Sequence, residues 1–131
     1  MVDYSKFIDY VKKMGSLYEA SSIVDSVDKE LNKYVEQGII DSREQDALRH
    51  YYGTLELAKE YGPSMSWFLG QTNEGIRRNT IGAQKDLYNN DIALDMFSKG
   101  NAFDLNEISN PRDIRKPLNY LKIPTLEEDY Q

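Results

Sequence analysis

Glycine punctuation constrains the fold of this chain more than any other feature. Gly15, Gly38, the Gly62-Pro63 pair and Gly100 break the first hundred residues into stretches whose apolar residues recur at helical spacing. A glycine just past such a stretch is a helix stop, because it takes the left-handed conformation that ends the hydrogen-bond ladder. From Asp3 to Gly15 the repeat is Tyr4, Phe7, Ile8, Val11 and Met14. Ser16 opens a second helix, with Glu19 completing a capping-box pattern, and its stripe is Ile23, Val24, Val27, Leu31, Tyr34 and Val35. The run from Asp41 to Gln45 offers caps for a third helix that ends at Tyr61. Pro63 then presets the first turn of a fourth, which carries Met65, Trp67, Phe68, Leu69 and Ile76 and is weakened by Gly70 and Gly75. After a loop at Arg77 to Asn79, a fifth helix starts at Thr80 or near Gly82 and ends near Lys99-Gly100. No convincing strand alternation or internal repeat interrupts this pattern. The expected fold is all-α, an irregular bundle of four or five helices over residues 1–100.

Residues 101–131 differ in character. They hold three of the four prolines, and each disfavours helix at the residue before it. Short helical turns are expected near Asp104 to Ile108 and Leu118 to Leu121, within an otherwise extended arm. Its anchors are Phe103, Leu105, Ile108, Ile114, Leu118, Tyr120, Leu121, Ile123 and Leu126, set singly among polar residues. Ordering a residue costs about 1–2 kcal/mol. Spaced anchors are therefore expected to need a partner groove, and these residues are the candidate binding surface.

Composition excludes several classes of function. With 22 acidic and 16 basic side chains the formal charge is −6, which disfavours nonspecific contact with nucleic acid or anionic lipid. The absence of cysteine removes disulfides, thiolate zinc sites and thiol nucleophiles. The start, MVDYSKFIDYVKKMG, lacks the apolar run of a signal peptide, and no segment approaches the ~20 apolar residues of a membrane span. The chain is expected in the cytoplasm of the producing cell or in a particle assembled there. Ten tyrosines against four phenylalanines suit half-buried positions whose rings pack while the hydroxyls stay wet.

Helical wheels place polar residues where core residues belong. On the third helix Ala47, Leu48, Tyr51, Leu55 and Ala58 share one face, and the sole histidine, His50, falls at its margin between Leu57 and Tyr61, with Arg49 turned outward. On the fifth, Leu87, Ala93, Leu94 and Phe97 define the apolar face. Asp86 and Asn90, one turn apart, fall within it. Burying such groups unpaired costs roughly 2–7 kcal/mol for the neutral one alone, so partners are required. A buried network pinning the helices in register is one outcome. A catalytic cluster of His50, Glu74, Asp86 and Asn90 is the other, suited to general acid–base hydrolysis. These residues could also ligate a divalent metal, a nonspecific signal with one histidine; neither a metal nor a cofactor is expected.

The segments RHYYGTLELAKEYG, LGQTNEG and DLYNND together resemble an uncharacterised helical domain found in bacteriophage proteins and at the ends of bacterial polymorphic toxins. The resemblance covers roughly residues 46–96, and its matching positions are Arg49, His50, Glu74, Asp86, Asn89 and Asn90. Where that pattern has a glycine shortly after the paired asparagines, this chain has Asp91-Ile92-Ala93. The resemblance thus bears on helical fold more than on an active site. Together with the anchor-studded arm and the many tyrosines, it points to a small structural or accessory protein of a bacteriophage particle, a virion component that joins other subunits through the arm; the charge and the lack of an apolar span add the expectation that it binds neither nucleic acid nor membrane. A cell-wall or toxin-like hydrolase is the alternative. An acidic module that blocks a basic protein is a third possibility.

Overall fold

The computed structural model describes residues 17–73 and 81–125. These form α1 (Leu17–Glu36), α2 (Ser42–Tyr61), α3 (Pro63–Asn73) and α4 (Ile81–Lys99), followed by 3₁₀ segments at Leu105–Glu107 and Pro111–Tyr120; no strand occurs among the described residues. The fold is all-α, as the punctuation predicts. The expected helix from Asp3 to Gly15, the Ser16 cap, Glu74, Ile76 and Leu126 lie outside the described residues.

The helix ends are built from specific hydrogen bonds. Gly38 and Gly100 both have φ of 73°. After α1 the N–H groups of Gly38 and Ile39 return to the carbonyls of Val35 and Tyr34, and after α4 those of Gly100 and Asn101 return to Phe97 and Met96. This paired closure is the Schellman motif, and its left-handed residue explains the two glycines. Asp41 caps α2: its carboxylate accepts from the N–H of Glu44 at 2.8 Å, and the Glu44 carboxylate accepts from the N–H of Asp41 at 3.0 Å.

Helix α2 is the hub, packing against α1, α3, α4 and the long 3₁₀ segment. Its buried face includes Ala47, Leu48, Tyr51, Tyr52, Leu55 and Ala58, joined in the core by Val27 and Leu31 of α1, Ala93 and Met96 of α4, and Ile114. Leu87, Leu94 and Phe97, expected at the centre of the α4 face, are only half-buried. The innermost positions of α4 are Gly82, Ala83, Asp86, Asn89, Asn90, Ala93 and Met96. Small and amide side chains let α4 approach α2 closely, and the bulkier leucines flank the contact.

The arm, expected to need a partner groove, packs on its own helices through residue 125. Ile114, Pro117 and Pro124 are fully buried, and Phe103, Leu105, Ile108, Leu118 and Leu121 pack against the core as partly buried residues. Burying a side chain of the size of Ile114 contributes about 1.5–3 kcal/mol. The expectation counted apolar anchors alone and missed the polar ones. Tyr51 Oη accepts from the N–H of Phe103 at 2.8 Å and donates to its carbonyl at 3.1 Å; Tyr52 Oη donates to the Ile114 carbonyl at 3.3 Å. Asn89, itself buried, pairs with both backbone groups of Lys122 at 2.8 Å. Arg115 grips the Ile39 carbonyl and both oxygens of Glu44, the capping-box partner of Asp41. Tyr120 and Ile123 are exposed.

The second helical turn of the arm also begins earlier than Leu118. Asn110 caps it by accepting from the Arg112 N–H, and Pro111 occupies its first turn. The fixed φ of proline suits a helical start. Pro117 inside the segment removes one donor, which a chain of short 3₁₀ turns tolerates.

Candidate functional site

Three helices and one residue of α4 enclose a cleft of about 450 Å³ beside the core. Ala20, Ser21, Val24, Asp25 and Asp28 of α1 form one wall; Arg49, His50, Gly53, Thr54 and Leu57 of α2 form the floor; Leu69 and Gly70 of α3 and Asn90 of α4 close it.

Helix periodicity places the polar groups. Asp46 and His50 stand one turn apart on α2, as do Asp86 and Asn90 on α4, so each helix offers two groups to the other. His50 Nε2 lies 3.3 Å from Asp86 Oδ1, and His50 Nδ1 lies 3.2 Å from Asn90 Oδ1. The Asp86 side chain is only 4% exposed and that of His50 15%, so the carboxylate stands behind the ring and the ring borders the cleft. An imidazolium donates at both edges. A neutral ring donates at one edge and accepts at the other, with the Asn90 carboxamide turned to match.

Arg49, expected to turn outward, instead reaches along the cleft. Its Nη2 lies 2.6 Å from Asp46 Oδ1 and its Nε 3.5 Å from Asp28 Oδ1. A wheel tracks only Cβ direction, and an arginine stem carries its charge well away from that direction. Asp46, His50 and Asp86 each bring one potential ligand atom to within 4.8 Å of the others, and these are the described residues that could hold a metal ion.

The structure therefore brings His50, Asp86 and Asn90 together; Glu74, the fourth candidate, lies outside the described residues. Asp46 and Gly70 were not singled out from the sequence as site residues. The four-residue spacing of Asp46 and His50 is a usable signal for the first. No sequence signal exists for the second, whose role appears only when α3 meets α4: a Cβ at Gly70 would stand 2.8 Å from Asn90 Nδ2. The arm candidates Phe103, Leu105, Ile108, Ile114, Leu118 and Leu121 pack on the helices of the same chain. No helix among the described residues is long and apolar enough to cross a membrane.

No protein-family model, curated protein or solved structure matches this chain.

Proposed function

We propose that this chain is a hydrolase whose reaction centre is His50 and Asn90, which line the α1–α2–α3 cleft, with Asp86 buried behind the ring. The observation that carries the reading is the placement of a buried carboxylate 3.3 Å from an imidazole that lines an open cleft. In this mechanism Asp86 orients the ring and balances its charge. For the step the Asn90 carboxamide swings off Nδ1, and that nitrogen takes a proton from water as the oxygen attacks the substrate and returns it to the leaving group. The Asn90 carboxamide holds the attacking water or the substrate oxygen against the ring. General acid–base catalysis of this kind contributes about 10²–10⁴-fold in rate.

The resemblance to polymorphic-toxin ends directs the first assay toward bacterial cell-wall material. Purified protein is incubated with cell-wall glycan and peptide, and newly exposed amines or reducing ends are counted. Turnover that is lost in Asp86→Asn supports the reading. Absent turnover, or turnover equal in Asp86→Asn, removes it.

The second reading is a structural or accessory protein of a bacteriophage particle, joining other subunits through the arm. Tyr120 and Ile123 support it, since among the described arm anchors they are the ones left 52% and 37% exposed. Co-assembly with particle subunits, compared between wild type and Tyr120→Ser, tests it.

A further inference from the structure

We propose that Asp46 and His50 of α2, with Asp86 of α4, form a site for a divalent metal ion of the zinc class that ties the two helices together. The site goes beyond the reaction proposed above. An ion on Nε2 makes the ring a ligand with its proton held at Nδ1, so a loaded site and the acid–base role of His50 exclude one another.

Each of the three side chains brings one ligand atom to within 4.8 Å of the others. Nitrogen and oxygen ligands stand about 2.0–2.2 Å from zinc, so two of them at a tetrahedral angle are about 3.3–3.6 Å apart. His50 Nε2 and Asp86 Oδ1 already stand 3.3 Å apart. A charge-assisted hydrogen bond between the same two atoms would draw them to about 2.7–2.9 Å. The spans to Asp46 are at most 4.8 Å, about 1.5 Å beyond the tetrahedral edge, and rotation of one carboxylate covers that difference.

The neighbours of the three residues supply the outer partners that metal ligands use. A ligating imidazole generally donates its other N–H to a carbonyl or carboxylate, which fixes the tautomer. Asn90 Oδ1 stands 3.2 Å from His50 Nδ1, while the carboxamide nitrogen lies against Gly70, 2.8 Å from where a Cβ would be. So placed, Oδ1 accepts the Nδ1 proton and leaves the Nε2 lone pair toward Asp86. Arg49 Nη2 holds Asp46 Oδ1 at 2.6 Å, and a carboxylate has lone pairs enough to accept that bond and ligate an ion as well. One imidazole nitrogen with two carboxylate oxygens suits zinc and its first-row neighbours. Magnesium and calcium prefer oxygen ligands alone.

His50 is the only histidine, so its ring resonances report on this site alone. Zinc chloride added to the full chain is expected to shift them saturably at one ion per chain. It is also expected to raise the melting temperature, because an ion that binds the folded chain stabilises it. Magnesium chloride is expected to do neither. Asp46→Asn removes one ligand while keeping a polar side chain of the same shape. It is expected to weaken zinc binding by at least the about 10–100-fold that loss of an outer partner costs. No zinc shift at His50 in the wild type, an equal shift with magnesium, or unchanged zinc binding in folded Asp46→Asn overturns the site. The wild-type comparison of the two salts decides alone should that variant not fold. Neither readout uses turnover, so zinc binding without hydrolysis keeps the site and removes the reaction, and hydrolysis without zinc binding does the reverse.

Discussion

Asp86 is the residue on which both stability and chemistry converge. It is 3% exposed, and its contact with His50 Nε2 joins α4 to α2. Asp86→Ala is expected to destabilise the fold by about 1–3 kcal/mol, the cost of leaving the buried polar groups around it without their partner; denaturant unfolding measures it, and a change as small as that of an exposed carboxylate such as Asp95 would contradict it. The inward position of Asp86 and Asn90 was legible in the sequence because four-residue spacing on a helix is a geometric certainty. The contacts of Arg49 were not, since a long flexible side chain carries its charge far from its wheel position. Asn89 was equally hidden: nothing in its neighbourhood announces that it pairs with the backbone of Lys122, 33 residues away.

At the scale of the element, Leu55 and Leu94 separate a core position from a flank. Leu55 is 1% exposed, and its replacement by alanine should cost about 2–5 kcal/mol through lost burial and a cavity. Leu94 is half-buried and should cost about 1–2 kcal/mol on the same substitution. Equal losses in the two variants would mean that α4 is rotated from the placement described. The start of α2 and the C-terminal ends of α1, α2 and α4 were legible, because glycine stops and the Asp41 cap act locally. The rotation of α4 was not, because its apolar wheel and its small-residue wheel point to different faces. Close helix approach favours the small residues, and only the partner helix reveals that.

For the whole molecule, the clasp between the arm and α2 is the feature that sequence reasoning weighed wrongly. Tyr51 and Tyr52 are its polar anchors, and burial pushes the Tyr51 hydroxyl up from about 10 to about 12, with the Phe103 N–H opposing that shift. A hydroxyl whose folded value is raised contributes stability that is fully present below its unfolded value and is lost as pH rises through the folded one. Unfolding free energy should therefore fall between pH 10 and 12, with the arm loosening as Tyr51 ionises. Tyr51→Phe should remove that part of the alkaline loss. An alkaline limb of the same depth in Tyr51→Phe would show that the clasp is not governed by this hydroxyl.

The same molecule-wide view bears on the cleft, which three helices build around a single histidine. A network that merely pins helices in register and a network that activates water share every distance given above, and they differ in what removal of the imidazole does. The decisive measurement is the hydrolytic turnover of His50→Gln, taken at the same folded fraction as the wild type, with glutamine keeping polar atoms near Asp86 and Asn90. The proposed mechanism predicts that turnover falls by about 10²–10⁴-fold while most of the unfolding free energy remains. Turnover kept at the wild-type level in the folded His50→Gln protein would contradict it and leave the cluster a structural pin.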